Sequence, residues 1–501
     1  MSQNRSFVSG LVGRCSALSL AALVMLAATT AQGQVRISQV CTQGGVSGTT
    51  NLFNFNTAPY EADFIELYNA GGTAVDISGW SVQFQGATST TSWTKFDLTG
   101  AAPIQPNSYF LIQLTDALSN GAPYVSDLQR TGTTASALIS SGGKVALVSD
   151  QVQMANGSCP SGGMVVDFVG ISGSSTSNCA EGSPASLPNN PHLSIFRKCG
   201  GLTESDNNSA DFEARNVFPR WSGSGPFPGI EVSVELSTTG VGPCLPAAPF
   251  QSVIRGVSNL LITASRSTCT GPASTGGTVT ADLTEIGGSA SQMMFDDGTN
   301  GDAVGGDNIY SYSYAVPSNA PLGINRTIIV TVSDAQARTQ TGVARIFVEA
   351  NVPPNDLCSG ATVISSVPFI DDNINNRLAT DDTPQPSCLS GSTFVRRGVW
   401  YTYTPTQNGA AVISESGSQS AAIAVFSGPD CNTLTNTPGG CFTASSTNNR
   451  FVPMVAGTKY WILIGPTSTT CPTANLTFEF DYAVVPANDE CTGAVDLNAV
   501  T

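Results

Sequence analysis

The sequence predicts an all-β protein made of antiparallel β-sandwiches in series. Short runs of β-branched and aromatic residues alternate with clusters of Gly, Pro, Asn and Ser, which is the pattern of strands and turns. Apolar residues at helical spacing are nearly absent after the first 33 positions. A length of 501 residues exceeds what one hydrophobic core usually fills, so three or more domains are expected.

Residues 1–33 are predicted to be a secretory signal peptide. Arg5 and Arg14 supply the positive start, Leu18–Ala28 is an apolar run, and Ala31–Gly33 is a small-residue cleavage site. The apolar run is too short to cross a bilayer, which needs about 20 apolar residues. We therefore expect an extracellular or cell-surface protein with no transmembrane segment after cleavage.

The first predicted unit covers residues 34–225. Its distinctive motifs are the alternating strand Asp63–Asn69, the tryptophan-bearing strand Asp76–Val82 and the polar segment Asp206–Phe212. These motifs resemble the lamin tail domain as it is found in exported bacterial proteins. The resemblance implies an immunoglobulin-like β-sandwich that has no catalytic activity of its own and often accompanies extracellular nucleases or phosphatases.

The second predicted unit, residues 230–350, resembles the immunoglobulin-like modules of exported bacterial proteins. Its loop holds five carboxylate or amide side chains between glycines: Asp296, Asp297, Asn300, Asp302 and Asp307. Calcium takes six to eight oxygen ligands, so these side chains are predicted ligands of a structural calcium ion. The alternative is an acidic hairpin loop in which Asp and Asn serve only as turn formers.

The third predicted unit covers residues 355–483. Its short aromatic strands resemble a jelly-roll module of the pre-peptidase C-terminal type, and this implies a secreted accessory domain. The preceding segment Val352–Ala361 recurs as Val485–Ala494 with seven of ten positions identical. Residues 485–501 are therefore expected to be the start of a truncated second repeat.

Cysteine number and compartment together predict disulfides. Of 13 cysteines, 12 remain after the signal is removed, and an even number in an exported chain is typical of paired cysteines. Neighbours in the sequence are the first hypothesis: Cys159 with Cys179, Cys244 with Cys269, and Cys431 with Cys441. Other connectivities remain open, and Cys491 is the expected free thiol because its repeat is truncated.

The charge of the chain bears on its partners. The net charge is -16, and loss of the two signal arginines leaves 18 basic against 36 acidic residues. An acidic protein repels phosphate backbones, so no nucleic-acid partner is expected. The basic pairs Arg197-Lys198 and Arg396-Arg397 are expected to be solvated charges at strand ends.

Catalytic motifs are missing from the sequence. Its one histidine, His192, follows Asn and Pro in a predicted surface turn, and neither a Gly-x-Ser-x-Gly elbow nor a His-Glu-x-x-His motif is present. Carboxylates such as those in Glu61–Glu66 and Asp371–Asp382 are explained as turn and surface residues. We therefore predict that the chain is not an enzyme and has no cofactor other than calcium.

The predicted function is that of an exported, modular, non-catalytic surface, adhesion or binding protein. Its partner would be an unknown glycan or protein surface. Trp93, Trp221 and Trp400 are aromatic candidates for contact, although core packing is the stronger expectation for each. The alternative function is the accessory region of a secreted nuclease or peptidase whose catalytic domain is absent from this chain.

Overall fold

The structure, a computed structural model, confirms the all-β class. It describes residues 34–45, 58–115, 121–130, 142–160, 164–187, 190–239, 251–350, 352–381, 395–415, 421–444, 449–467 and 476–486. Within these residues, helix is confined to one α-helical turn, Asn208–Asp211, and to 3-10 turns at Cys199–Gly201, Ser222–Ser224, Thr284–Ile286 and Cys358–Gly360. No helix of the described part has the length and apolar character needed to cross a membrane.

Two sheets build the first unit. The six-stranded sheet has the order β11-β10-β1-β2-β5-β6, and the five-stranded sheet has the order β4-β3-β7-β8-β9. The strands are β1 (Val35–Cys41), β2 (Phe64–Asn69), β3 (Ser81–Gly86), β4 (Thr94–Asp97), β5 (Tyr109–Gln113), β6 (Leu128–Gln129), β7 (Gly142–Val148), β8 (Val165–Ser172), β9 (Ala185–Ser186), β10 (Leu193–Arg197) and β11 (Phe212–Asn216).

The second unit also has two sheets, with the orders β12-β14-β17 and β13-β19-β18-β15-β16. Its strands are β12 (Ile230–Thr239), β13 (Ser252–Ile254), β14 (Asn259–Thr268), β15 (Thr278–Asp282), β16 (Gln292–Met293), β17 (Ile309–Ala315), β18 (Gly323–Ser333) and β19 (Thr339–Glu349). The acidic loop connects β16 to β17, the outer strands of different sheets.

The third unit is a sandwich of a five-stranded sheet, β20-β22-β27-β24-β25, and a four-stranded sheet, β21-β28-β23-β26. Its strands are β20 (Thr362–Val363), β21 (Phe369–Ile374), β22 (Val399–Tyr403), β23 (Gly409–Glu415), β24 (Ala421–Ser427), β25 (Thr435–Ala444), β26 (Arg450–Met454), β27 (Tyr460–Pro466) and β28 (Leu476–Val484).

Alternation along the strands explains why these segments form sandwiches. In β14, Leu260, Ile262 and Ala264 are fully buried, whereas Leu261 and Thr263 between them are less buried. Burying a Leu or Ile side chain contributes about 1.5–3 kcal/mol, so one face of the strand is fixed toward the core. A shift by one residue would expose every one of these side chains, and the sequence therefore also determines the strand register.

The disulfides confirm one predicted pair and correct another. Cys159 is bonded to Cys179, as predicted. The predicted pairing of Cys269 with Cys244 is wrong, because Cys269 is bonded to Cys199, which lies 70 positions away in the sequence. Packing of the first unit against the second brings their Cα atoms to 5.4 Å, and sequence distance gave no sign of that approach.

The predicted pair Cys431–Cys441 is also wrong. Cys431 is bonded to Cys358 across 73 positions, with a Cα–Cα distance of 5.9 Å. Cys441 forms a disulfide as well, but not with Cys431. Cys491 lies outside the described residues, where the free-thiol expectation for it stays a prediction.

Among the described residues, Cys41 is a free cysteine, and it is buried at the end of β1. Burial and the neighbouring charge of Asp63 raise the pKa of its thiol, so the reactive thiolate is disfavoured.

We expect iodoacetamide to leave Cys41 unmodified in the native protein and to alkylate it in denaturant without reductant. Peptide mapping by mass spectrometry measures both states, and Cys159 serves as the control because its disulfide blocks alkylation in each. Rapid labelling of Cys41 in the native protein would contradict its burial.

Candidate functional site

The structure brings three of the five predicted calcium ligands together. Carboxylate oxygens of Asp296, Asp302 and Asp307 lie within 4.8 Å of one another in the β16–β17 loop. The chain reverses sharply here, and Gly301 adopts φ +95°, where a side chain would meet Leu261 at 2.6 Å. The glycine is therefore required for the fold of this loop.

Backbone N–H groups already donate hydrogen bonds to some of these carboxylate oxygens. Asp296 accepts N–H groups from residues 306–308 at 2.6–3.1 Å, and Asp302 accepts the N–H of Gly298 at 2.7 Å. These contacts are the turn-forming role that the alternative explanation requires. Calcium binding therefore stays a prediction for the three clustered carboxylates.

The other two predicted ligands make turn contacts outside this cluster. Asp297 accepts the backbone N–H of Thr299 at 2.9 Å and its hydroxyl at 2.6 Å. The Nδ2 group of Asn300 donates to the Thr299 hydroxyl at 2.9 Å, and Asn300 adopts φ +53°. Both residues therefore shape the loop.

A second charged cluster, centred on Arg197, escaped the sequence analysis. Arg197 was expected to be solvated, but its side chain is fully buried, and that expectation is wrong. Its guanidinium donates to both oxygens of Asp167 at 2.9 and 2.8 Å and to the carbonyl of Ile37 at 2.9 Å. Asp167 in turn accepts the N–H of Ile37 at 2.6 Å.

This ion pair joins the two sheets of the first unit. Asp167 belongs to β8 and Arg197 to β10, which lie in different sheets. Ile37 adjoins a register shift in β1, and the two side chains satisfy its backbone N–H and carbonyl groups. Because an unpaired buried charge is costly, removal of Arg197, which would leave Asp167 buried without its cation, is expected to cost about 3–5 kcal/mol.

The same cluster contains more negative than positive charge. Carboxylate oxygens of Asp167, Glu181 and Glu204 lie within 4.8 Å of one another, and Arg197 pairs with Asp167 and Glu204. Burial, followed by the charges of Asp167 and Glu204, raises the pKa of Glu181 to about 7. A hydrogen bond of 2.9 Å from Asn208 acts in the opposite direction.

The loop after β10 also carries the joint between the first and second units. Cys199, Gly200 and Gly201 have φ angles of +54°, +65° and +116°. The amides of Cys199 and Gly200 donate to the carboxylate of Glu231 at 2.9 and 3.2 Å, an anion site built from backbone N–H groups. The disulfide from Cys199 to Cys269 closes the same joint covalently.

Side chains extend this joint over a wider surface. Arg215 of β11 pairs with Glu231 of β12 at 3.0 Å. The guanidinium of Arg345, on β19, lies 5.1 Å from the ring centre of Tyr60 in the first unit. The two units are therefore held together by covalent, ionic and aromatic contacts.

A crevice of about 170 Å³ lies within this joint, between β10–β11 of the first unit and β12 and β19 of the second. Two arginines of its lining are paired with carboxylates: Arg215 with Glu231, and Arg220 with Glu66 at 2.6 Å. The guanidinium of Arg220 also stacks on Tyr109 at 3.9 Å. Because Arg215 and Glu231 both line the crevice and connect the two units, the crevice is part of the joint.

A buried ion pair links the second unit to the third. Glu349 ends β19, Arg377 follows β21, and their charged atoms are 3.4 Å apart with both side chains nearly inaccessible to solvent. Burial raises the pKa of Glu349 and lowers the pKa of Arg377, and each charge opposes the effect on its partner. Removal of either side chain is expected to destabilise this link, because a buried charge that loses its counter-ion is costly.

His192 is not in a surface turn, so that expectation is wrong. Its side chain is 4% exposed, and its ring packs against Phe347 of the second unit at 5.7 Å between ring centres. Its backbone carbonyl accepts the N–H of Val217 at 2.9 Å. The turn lies against another domain, a contact that local sequence does not encode.

The tryptophan candidates divide between core and surface. Trp93 and Trp400 are buried in hydrophobic clusters, in agreement with the stronger expectation for them. Trp221 differs, because 37% of it is exposed beside a 3-10 turn, and the core expectation for it is wrong.

The fold and motifs of the first unit agree with a comparison to known families. Residues 28–171 match the family model of the lamin tail domain. The match ends within β8, while the sheets of the lamin tail unit continue through β10 and β11. The Arg197 cluster and the joint to the second unit therefore lie at and beyond the end of the matched segment.

Comparisons over the chain found no match among curated proteins. A DUF4876 family protein from Bacteroides thetaiotaomicron is similar over 37% of this chain and 72% of its own, with 12% identity and a TM-score of 0.26. The secreted serine protease VesC from Vibrio cholerae is similar over 45% and 47%, with 10% identity and a TM-score of 0.13. Similarities this low support no inference about function.

We expect calcium chloride to raise the Tm of the wild-type chain, because an ion that binds only the folded loop stabilises it. Asp302→Ala should abolish this shift, and Asp430→Ala, in an exposed turn of the third unit, should retain it. Thermal unfolding after chelation and after calcium addition measures the effect. Equal shifts in all three proteins would contradict a site in this loop.

The free energy of unfolding is expected to depend on pH through the titration of Glu181. Because its pKa is about 7 when folded and 4.5 when unperturbed, its contribution to stability is fully present below about pH 4.5 and is lost as the pH rises through 7. Glu181→Gln should therefore flatten the free energy of unfolding over this range, and Glu235→Gln, at an exposed position, should not. Urea titrations at several pH values measure it, and unchanged slopes in Glu181→Gln would refute the assignment.

Proposed function

We propose that this chain is an exported, non-catalytic binding protein whose β-sandwiches hold their exposed faces at fixed relative positions. The observation that supports this proposal most strongly is the joint in which Glu231 and the Cys199–Cys269 disulfide connect the lamin tail unit to the second unit. The buried pair Glu349–Arg377 extends the connection to the third unit. Connected units of this kind suit the presentation of surfaces at a defined spacing.

Two properties support export. Three disulfides are described, and one of them joins separate units. Disulfides persist in oxidising compartments and are rare in the reducing cytosol. The amino-terminal residues have the charge and apolar pattern of a secretory signal.

The environments of the titratable groups support a non-catalytic role. A general base must reach the proton that it removes, and His192 is buried against Phe347. The buried carboxylate of Glu66 is held by Arg220, and the carboxylate of Asp167 is held by Arg197. These groups contribute to structure through contacts that a substrate would have to break.

We expect the purified chain to hydrolyse neither DNA, p-nitrophenyl phosphate nor casein, with or without added calcium, magnesium or zinc. Product formation is measured beside a known hydrolase as a positive control. Reproducible turnover that disappears in His192→Ala or Asp302→Ala, but persists in Asp430→Ala, would contradict the proposed function.

A further inference from the structure

The Asn-Gly dipeptides of this chain differ in how firmly the fold holds them. The sequence contains four, which begin at Asn120, Asn156, Asn300 and Asn408, and Asn120 lies outside the described residues. In such a pair the glycine nitrogen can attack the side-chain amide carbon of asparagine, because glycine has no side chain to hinder the approach. The attack requires rotation of the asparagine backbone and side chain, so hydrogen bonds at the pair control its rate.

Asn156 and Gly157 lack such restraints. They lie in a bend between β7 and β8, and the side chain of Asn156 is exposed. Among the described residues, neither the backbone nor the side chain of this pair takes part in a hydrogen bond. The asparagine is therefore free to adopt the conformation in which its amide carbon meets the Gly157 nitrogen.

Asn300 is held in a tight turn. The N–H of Asp302 donates to the carbonyl of Thr299 at 2.8 Å. The φ angles of Asn300 and Gly301 are +53° and +95°, which with this hydrogen bond describe a type I′ turn. The carbonyl of Asn300 also accepts the N–H of Ser313 at 2.8 Å. Rotation of the Asn300 backbone toward ring closure would break these hydrogen bonds.

Asn408 is held through both its side chain and its backbone. Its Oδ1 accepts the N–H of Ala456 at 2.9 Å, and its carbonyl accepts the N–H of Val485 at 3.0 Å. Gly409 begins β23, which pairs with a strand on each side. The carbon that would react and the nitrogen that would attack are therefore both fixed, and this pair is an internal control for Asn156.

We propose that Asn156 is a site of spontaneous deamidation in the folded protein. The Gly157 nitrogen loses its proton and bonds to the side-chain carbon of Asn156, the bond from that carbon to Nδ2 breaks, and ammonia leaves with the proton. Water then opens the cyclic imide at either carbonyl and gives aspartate or isoaspartate. Both products add a negative charge. Isoaspartate also adds a methylene group to the main chain.

Isoaspartate at this position would disturb a buried cation. The ammonium of Lys144, whose side chain is fully buried, donates to the carbonyl of Ser158 at 2.8 Å, two residues beyond Asn156. Its other acceptors are the Ser89 carbonyl and Oδ1 of Asn178, both at 2.7 Å. A longer main chain would move the Ser158 carbonyl, and a buried donor that loses an acceptor is unfavourable. We therefore expect the isoaspartate form to have a lower Tm than the asparagine form.

Incubation of the full chain at neutral pH, folded and in urea, tests the proposal. Peptide mapping with electron-transfer fragmentation measures aspartate and isoaspartate at each Asn-Gly pair. We expect Asn156 to convert at similar rates in both states, and Asn300 and Asn408 to convert at least about tenfold more slowly when folded. Conversion of Asn156 as slow as that of Asn408 in the folded chain would overturn the proposal.

Gly157→Ala is the matched variant. Among the described atoms, a Cβ at position 157 would approach only the Cys159 carbonyl oxygen, at 3.6 Å, which is an ordinary contact, so the fold should be retained. The methyl group hinders the attack, and conversion of Asn156 should slow at least about tenfold. Conversion of Asn408 in urea should stay the same in this variant. An unchanged rate at Asn156 would contradict attack by the Gly157 nitrogen.

The effect on Lys144 has its own measurement. Anion exchange separates the products formed by the wild-type chain, and thermal unfolding of each fraction gives its Tm. Asn156→Asp adds the charge without the longer main chain and should retain the wild-type Tm. An isoaspartate fraction with the Tm of the asparagine form would refute the link to Lys144. Neither measurement involves ligand binding or turnover, so the outcome is independent of the proposed function.

Discussion

The buried ion pair between Arg197 and Asp167 is the contact on which the organisation of the first two units depends. It joins the two sheets of the lamin tail unit and satisfies the backbone of Ile37 where the β1 pairing shifts. Only Lys198 separates Arg197 from Cys199, so the same contact positions the start of the interdomain joint. A single buried guanidinium thus connects folding of one unit to the placement of the next.

The joint and a second buried ion pair connect the three units in series. Glu231, on β12 of the second unit, accepts a hydrogen bond from the backbone N–H of Cys199. The disulfide between Cys199 and Cys269 prevents the two units from separating. Glu349, at the far end of the second unit, then meets Arg377 of the third.

The sequence predicted what depends on local pattern and missed what depends on distant contact. Strand alternation and turn residues are local, and they correctly indicated β-sandwiches in series. The Cys159–Cys179 disulfide could also be predicted from the sequence, because its cysteines are only 20 positions apart. Arg197 and His192 were misplaced because their burial comes from residues far away in sequence. Among the predicted calcium ligands, glycine and aspartate spacing indicated the loop but did not distinguish clustered carboxylates from those that form turns.

Native-state hydrogen exchange tests most directly whether the joint makes the first two units one cooperative structure. Core amides of β2 and β14 are measured across a denaturant series in the wild type and in a Cys199→Ser, Cys269→Ser, Glu231→Gln variant. We expect one shared opening free energy in the wild type and two separate values in the variant, and we expect Cys159→Ser with Cys179→Ser to keep β2 and β14 coupled. Separate opening of β2 and β14 in the wild type would contradict this expectation.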